Sequence, residues 1–284
     1  HEVSVLTPTL EWNGPKYEPE VDSKIDIIRV NVPSKNNLKV AARRCKTPLI
    51  EKGIELGRNK KFDFIFTIFH PFHMAPNAAV SIGEKLEIPV IVKIDDAVYE
   101  KSTGLKSIQR KVEKILSAKT LNKSSKILVA NNETKEIVNE FYDVSPEKIE
   151  IMPNGIDTKI FHTNVVKKSK MILFSGVMYN HRGIDVLLNA APTVIKKIPE
   201  VKFVLLGDGP ELDNLKKMAE DLKIEKNVEF KGWINRDEVM NYLADASIAI
   251  GPLRYTTVTK NALPIKVLEY MASSLPILSQ KDTL

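Results

Sequence analysis

The sequence predicts an α/β protein with two doubly wound domains, each a parallel sheet covered by helices on both faces. Short β-rich runs alternate with helical patterns along all 284 residues, as they do when crossover helices join parallel strands. Runs such as VKFVLL at 201–206 and ASIAIG at 246–251 are apolar on both faces, which fits strands buried on both sides. A polar, turn-rich stretch from Pro153 to Lys170 separates two groups of these elements.

The elements of the first group end before that polar stretch. Its strands are predicted at Glu2–Thr7, Ile25–Val30, Asp63–Ile68, Val90–Ile94, Lys126–Ala130 and Ile149–Met152. Its helices are predicted near 40–60, 76–87, 105–122 and 133–142.

The second group repeats the same alternation. Its strands are predicted at Met171–Ser175, Val201–Leu206, Val228–Phe230, Ser247–Ile250 and Pro276–Ser279. Its helices are predicted near 184–198, 211–223, 237–245 and 264–274. We therefore expect one domain at 1–153, a linker at 154–170 and a second domain at 171–284. A ligand cleft is expected between the domains, at the carboxyl ends of the strands.

The composition is that of an ordinary globular protein, with 43% hydrophobic residues, 27% charged residues and a formal charge of +6. The single cysteine, Cys45, excludes a disulfide framework and a cysteine-based zinc site within this sequence. No apolar run reaches the roughly 18 residues that a membrane span needs. We expect a cytoplasmic protein.

The densest basic stretch, 101–126, holds eight Lys and Arg residues and one acid, Glu113. Within it, apolar residues recur at helical spacing at Leu105, Ile108, Val112, Ile115 and Leu116. One interpretation is a surface helix with a solvated basic face. The other is peripheral contact of 105–122 with anionic lipid at the inner face of a membrane. Nucleic acid is not expected, because no aromatic residues lie between the basic ones.

Two glycine-bearing turns follow predicted strands of the second domain. In SGVMYNHRG, Gly176 ends a strand and Gly183 opens a helix whose amides could bind an anion beside Arg182. A plain strand–helix turn is the alternative. In LLGDGPE, the backbone of Gly207–Gly209 could face a ligand, although the favoured role for the Asp208 side chain is a helix N-cap.

The segment NALPIKVLEYMASSLPIL at 261–278 predicts a helix preceded by Asn261 as a cap. Lys266 and Glu269 are three residues apart, so they share one face of that helix. Leu268 and Met271 are expected on the opposite, buried face. On spacing alone, the interpretation of Lys266 and Glu269 as a surface ion pair is favoured over a role in ligand binding.

Acidic and histidine residues follow two strands of the first domain. Asp95 and Asp96 come directly after one strand, and His70 and His73 come after another. The aspartates could hold a divalent metal or cap the next segment. A zinc site would need a third ligand that the sequence does not provide. We expect no metal and no cofactor.

These motifs, taken in order, resemble the family 4 glycosyltransferases of the GT-B fold. The resemblance is strong from Ile149 to Leu284 and looser over Glu2–Val144, where it rests on HEVSVLTP, on Asp95–Asp96 and on ILVANNETKEIV. The residues that carry the strong part are IMPNGIDTKIF, SGV followed by HRGIDVLLNA, VKFVLLGDGPE, VEFKGW, DEVMNYLADASIAIGPL and KVLEYMASSLPIL.

The resemblance implies a retaining glycosyltransferase that needs no metal. The second domain would hold a nucleotide-sugar donor, and the first would hold a glycan or lipid-linked acceptor. Glu269 matches the acid that binds the nucleotide ribose, and Arg182 matches the basic residue on the donor diphosphate. The glycines of both turns, Gly176, Gly183, Gly207 and Gly209, and Asp208 between the last two, lie where the family forms its donor site.

Three positions depart from the family pattern. Asn261 stands where the family has an acid that contacts the donor sugar, and Asp95 stands where many members have a histidine near the reacting sugar. Val177 replaces a second basic residue, a role that Lys266 could take over. Asp95 and Asn261 are therefore the candidate catalytic residues.

Two other functions remain open. A sugar-nucleotide epimerase of the same fold would use Asp95 and Asp96 as acid and base. A degenerate GT-B protein would bind a nucleotide or a partner without catalysis, which the residues at Asn261 and Val177 favour. Compared with the family, the sequence lacks a first strand with its glycine loop and the closing helices. We therefore expect a fragment cut at both ends and inactive in isolation.

Overall fold

The computed structural model describes residues 2–9, 22–32, 38–70, 74–95, 105–161, 169–252, 254 and 264–279. They divide into two compact units, His1–Pro153 and Asn154–Leu284. Within the described residues, the paired strands of every sheet run parallel. The predicted α/β class with parallel sheets is confirmed.

The first unit contains two parallel sheets among its described strands. The pair β1 (Val3–Thr9) and β2 (Ile25–Asn31) forms one. The other is four-stranded and follows the order of the chain: β3 (Ile65–Ile68), β4 (Val90–Ile94), β5 (Lys126–Val129) and β6 (Ile149–Ile151). The helices are α1 (Leu38–Arg44), α2 (Lys46–Asn59), α3 (Ala75–Leu86), α4 (Leu105–Lys123) and α5 (Asn132–Tyr142).

The helix predicted near 40–60 is divided into α1 and α2 at Cys45. Pro48 lies in the first turn of α2. A proline ring clashes with the carbonyl group four residues earlier, here that of Arg44, and therefore disfavours one continuous helix. Cys45 itself is fully buried.

The second unit contains one five-stranded parallel sheet in the order β11-β10-β7-β8-β9. Its elements are β7 (Met171–Ser175), α6 (Ile184–Lys197), β8 (Lys202–Leu206), α7 (Leu212–Asp221), β9 (Val228–Gly232), α8 (Arg236–Asp245), β10 (Ile248–Gly251), α9 (Ile265–Ala272) and β11 (Ile277–Ser279). The chain first builds outward from β7 through β8 to β9. It then returns to the other side of β7 for β10 and β11.

The interior strand β8, between β7 and β9, shows why this sheet is covered on both faces. Phe203 and Leu205 pack into one core cluster, while Val204 and Leu206 pack into another. Because neighbouring side chains of a strand point to opposite faces, the two clusters lie on opposite sides of the sheet. All four side chains are buried. The doubly wound arrangement predicted from VKFVLL is confirmed.

Residues 154–161, in the segment expected to be a linker, lead into the second unit. Phe161 is completely buried there and belongs to the core cluster that contains Leu173 and Tyr270. Residues 162–168 lie outside the described residues. Among the helices that the structure describes, none is long and apolar enough to cross a membrane.

Phe203→Ala tests the central role of β8 in the second core. We expect the free energy of unfolding of the second unit to fall by about 3–5 kcal/mol, because the change removes a fully buried aromatic ring and leaves a cavity. Hydrogen exchange of the β8 amides measures the change. Leu278→Ala is the matched control, because Leu278 is 60% exposed on β11 of the same sheet and its loss should change stability by well under half as much. Equal effects of the two substitutions would contradict the assignment of the core.

Candidate functional site

The candidate site lies at the carboxyl end of β7 in the second unit. Within the sheet, β8 lies on one side of β7 and β10 lies on the other, so the chain reverses direction at β7. Such a reversal separates the loops after β7 and β10 and leaves a crevice where open α/β sheets bind ligands. Gly176–Gly183 follow β7, and Pro252 and Arg254 follow β10.

The loops after β7 and β8 are held together by backbone hydrogen bonds. The amide of Gly176 donates to the carbonyl of Leu206 at 2.9 Å, and that of Met178 donates to Asp208 at 2.8 Å. A Cβ on Gly207, which has φ +119°, would lie 2.1 Å from the carbonyl oxygen of Gly176. The glycine at this position therefore allows the two loops to approach.

Gly209 and Asp208 complete this junction between the loops. A Cβ on Gly209 would lie 2.7 Å from the backbone nitrogen of Met178. The amide of Gly207 donates to Gly232 at 2.7 Å, and that of Gly209 donates to the Asp208 carboxylate at 2.6 Å. Both glycine amides are thus engaged within the protein and are not free for the ligand binding that the sequence had suggested.

The expected N-cap role of Asp208 is wrong. Helix α7 begins at Leu212, with Glu211 in the cap position and no side-chain cap. The Asp208 carboxylate instead accepts from the next amide in the chain, at Gly209. Its side chain fixes a turn, a role that aspartate takes often because it bonds to nearby backbone.

Gly183 begins α6 as predicted, with a positive φ of 65°. Arg254, which sequence reasoning missed, fastens the loop after β10 to this helix start. Its guanidinium donates to the carbonyl of Asn180 at 3.1 Å and forms an ion pair with Asp185 in the first turn of α6. The signal was available in the sequence, because Arg254 follows β10, the strand at which the sheet reverses.

Lys266, in the first turn of α9, is 9% exposed. Its Nζ lies 4.0 Å from the centre of the Phe174 ring, and no described residue accepts a hydrogen bond from it. Burial, and secondly the charge of Arg182, lowers the pKa of Lys266 to about 7, although Glu269 acts in the opposite direction. A buried amine without an acceptor is unfavourable unless something binds to it.

Gly176 lies directly beside this amine. A Cβ on Gly176 would be 3.3 Å from Lys266 Nζ, and the φ of +139° disfavours any side chain there. Arg182, half-buried in the turn just before α6, is near enough for its charge to act on Lys266. Two cations, a glycine backbone and a helix N-terminus therefore come together, which is the chemistry of an anion site.

Glu269 lies one turn beyond Lys266 and is half-buried. Burial raises its pKa, whereas the charges of Arg236 and Lys266 lower it. No ion pair joins Glu269 to Lys266 or to any other described residue. The surface ion pair favoured by spacing is therefore wrong, because Lys266 is turned under the β7 loop and away from solvent.

Tyr270 holds α9 in this position. Its hydroxyl accepts a hydrogen bond from the amide of Ser175 at 2.9 Å and donates to the carbonyl of the same residue at 3.5 Å. Burial raises the pKa of Tyr270 well above the usual range for a phenol, so the ring stays neutral. The predicted buried face of α9 is consequently wrong: Met271 is 56% exposed, and the buried residues are Lys266, Val267 and Tyr270.

The remaining predicted residues lie elsewhere. Asp95, at the end of β4 in the first unit, forms an ion pair with Lys93 on the same strand. Asn261, Asp96 and His73 fall outside the described residues. Among the residues that are described, no three of His, Cys, Asp or Glu cluster as a metal site would require.

The chain matches two family models. Residues 1–160 match the model described as Glycosyltransferase Family 4, and residues 155–283 match Glycosyl transferases group 1. The chain is 29% identical over 113 residues to a phosphatidylinositol N-acetylglucosaminyltransferase gpi3 subunit of Schizosaccharomyces pombe, covering 38% of this chain and 25% of the relative.

A second relative covers nearly the whole chain. It is an alpha-monoglucosyldiacylglycerol synthase of Streptococcus pneumoniae, 24% identical over 299 residues, which are 98% of this chain and 64% of that protein. This chain thus spans less than two thirds of the length of either relative.

A solved structure of Anabaena HepE in complex with UDP-glucose matches with a TM-score of 0.67 and 12% identity, over 98% of this chain and 80% of that one. This likeness shows the fold, which is the GT-B fold implied by the sequence motifs. The match of one family model to more than half of the residues shows the family. The chain therefore belongs to glycosyltransferase family 4.

Proposed function

We propose that the second unit binds a nucleotide-sugar donor and that the whole protein transfers the sugar, with retention of configuration, to a glycan or lipid-linked acceptor. The observation that carries this proposal is the buried, acceptor-free amine of Lys266 beside Arg182 and Gly176. A diphosphate would supply the oxygens that this amine lacks. UDP-glucose in the HepE structure is a ligand of that class.

In this proposal the two cations stabilise the leaving group. Transfer breaks the bond between the sugar and the diphosphate, so negative charge grows on the departing oxygens. Positive groups already fixed at that point stabilise the transition state without reorganising, and a low-dielectric site strengthens their effect. Lys266 takes the role left by Val177, and Glu269 binds the ribose hydroxyls. Asp95 and Asn261 stay predicted catalytic residues.

The reaction test uses a panel of UDP-, GDP- and ADP-sugars with the full-length protein. Release of the nucleoside diphosphate together with a glycosylated product would support transfer, and the anomeric configuration of the product would test retention. Binding without release would favour the degenerate GT-B alternative. Conversion of the free nucleotide sugar into its epimer would favour the epimerase. We expect activity to persist in a metal chelator.

Glu269→Ala tests the ribose contact. We expect the dissociation constant for the bound nucleotide to rise by about tenfold to a hundredfold, as for the loss of a hydrogen bond to a charged group, while the fold persists. Calorimetric titration measures the affinity, and circular dichroism checks the fold. Glu220→Ala, at an exposed position on α7, is the control and should bind as the unaltered protein does. Unchanged binding by Glu269→Ala would remove this residue from the site.

The lowered pKa of Lys266 predicts that the protein takes up a proton when it binds the nucleotide. Above about pH 7 the free amine is mostly neutral, and a bound diphosphate raises its pKa again. The number of protons can be measured by calorimetric titration with the nucleotide in buffers of different ionisation enthalpy. At about one pH unit above that pKa, we expect close to one proton to be taken up per nucleotide bound. Affinity should fall as the pH rises further.

The matched variants are Lys266→Arg, which is always charged, and Lys217→Met, an exposed control on α7. We expect Lys266→Arg to bind without proton uptake and Lys217→Met to take up the same proton as the unaltered protein. Proton uptake that survives in Lys266→Arg would show that another group titrates.

We also propose that the protein works in the cytoplasm, at the inner face of a membrane. This place follows from the basic helix α4 and from a lipid-linked acceptor, and it fits the diacylglycerol in the name of the streptococcal relative. Flotation with anionic and with neutral vesicles tests this proposal, and a protein that shows no preference for the anionic vesicles would overturn it.

A further inference from the structure

Two aromatic rings lie stacked on the turn between β7 and α6 of the second unit. The rings of Tyr179 and His181 are nearly parallel, with an interplanar angle of 16°, and their centres are 5.4 Å apart. Tyr179 is 46% exposed, so the stack is open to a ligand. We call this pair of rings the aromatic platform. The function proposed above uses neither ring, because it draws only on Gly176 and Arg182 of the same turn.

The backbone of the turn holds the aromatic platform in one place. The carbonyl groups of residues 179–181 all accept hydrogen bonds. Those of Asn180 and His181 accept from Arg254, from its guanidinium at 3.1 Å and from its amide at 2.9 Å. Met178, the residue before the platform, is completely buried in the core of the unit. An aromatic surface that is fixed before a ligand arrives loses little conformational entropy on binding.

The aromatic platform and Glu269 belong to elements on opposite faces of the sheet. The turn leads into α6, whose Leu188 packs in the same core cluster as Phe203. Glu269 lies on α9, whose Tyr270 packs in the same cluster as Val204. Because Phe203 and Val204 are neighbours on β8, their side chains point to opposite faces, and so the two helices cover opposite faces as well.

A nucleotide sugar would extend across the end of the sheet from one of these faces to the other. Its diphosphate joins a ribose at one end to the sugar at the other. The proposed diphosphate site takes one cation from each side, because Arg182 precedes α6 and Lys266 lies in the first turn of α9. With the ribose at Glu269, the nucleoside lies on the α9 side. The sugar then extends toward α6, where the aromatic platform lies, and the base points away from it.

The chemistry of the aromatic platform suits a sugar. A hexose ring carries C–H groups on its faces, and their partial positive charge is attracted to the negative face of an aromatic ring. Asn180, between the two aromatic residues in the sequence, is exposed, and its amide can both donate to and accept from sugar hydroxyl groups. Apolar rings with a few polar groups beside them are the common lining of a small-molecule site.

We propose that the aromatic platform stacks against the sugar of the nucleotide-sugar donor and that Tyr179 is a specificity residue for that sugar. This inference rests on the proposed donor function. It adds a contact with the transferred sugar to the contacts with the diphosphate and the ribose. A nucleoside diphosphate without a sugar would not reach the platform, which makes the contact measurable.

The first experiment compares nucleotide sugars with diphosphates that lack the sugar. UDP-glucose, GDP-mannose and ADP-glucose are titrated calorimetrically beside UDP, GDP and ADP. In Tyr179→Ala, affinity for the nucleotide sugar that binds the unaltered protein should fall by about tenfold, and affinity for its diphosphate should stay within about twofold. Tyr179→Phe keeps the ring and should bind both ligands as the unaltered protein does. Ile198→Ala is the control and should change neither affinity, because Ile198 is 41% exposed at the far end of α6.

The second experiment detects the contact itself. The chain has seven tyrosines. In deuterated protein whose tyrosine rings alone carry hydrogen, saturation of the ring signals should transfer to the C–H protons of the bound sugar. Tyr179→Phe, made with deuterated phenylalanine, should still bind the nucleotide sugar but lose this transfer. Transfer that persists in Tyr179→Phe would assign the contact to another tyrosine and overturn the proposal.

The outcomes separate this inference from the proposed function. If Tyr179→Ala weakens the diphosphate as much as the nucleotide sugar, Tyr179 supports the anion site and does not contact the sugar. If it weakens neither, the aromatic platform lies outside the donor site. In both cases the unaltered protein still binds the diphosphate, so the donor proposal stands and this inference is wrong. If the unaltered protein binds none of the six ligands, the proposed function fails and this inference fails with it.

Discussion

The candidate site depends on the two hydrogen bonds between the Tyr270 hydroxyl and the backbone of Ser175. They join α9 to the last residue of β7, which is the central strand of its sheet. Because the ring is completely buried, the helix can neither rotate nor slide without exposing it. Lys266 precedes Tyr270 by about one turn, so the same contact carries its amine under Gly176.

This arrangement creates local instability at the place where we propose that the donor diphosphate binds. A buried ammonium group without an acceptor destabilises the folded chain, and the lowered pKa of Lys266 expresses that penalty. A structural lysine would be expected at the surface or in an ion pair. The surrounding packing of Phe174, Val267 and Tyr270 holds the amine in place, as the rigid core beneath a binding site commonly does.

The two units arrange their polar and apolar side chains in different ways. In the second, polar groups are drawn inward under a glycine loop, and two loops are joined by backbone hydrogen bonds that need Gly207 and Gly209. In the first, α4 is seated on the buried hydroxyl groups of Ser117 and Thr120, and its apolar residues face outward. The orientation of α4 in the first unit is the reverse of that of most amphipathic helices, whose apolar side faces the core.

Much of this was determined by the sequence alone. The alternation of strands and helices, the parallel sheets and the glycine turns follow from local pattern, because hydrophobic period and turn residues act over a few neighbouring positions. The family followed from the resemblance of the motifs, taken in their order along the chain. The break at Cys45 also has a local cause in Pro48. The tertiary structure decided which face of each helix is covered. Spacing along the helix puts Lys266 on the same face as Glu269, and Ile108 on the same face as Val112. Packing nevertheless buries Lys266 and leaves Ile108 exposed, because burial depends on elements that are distant in the chain.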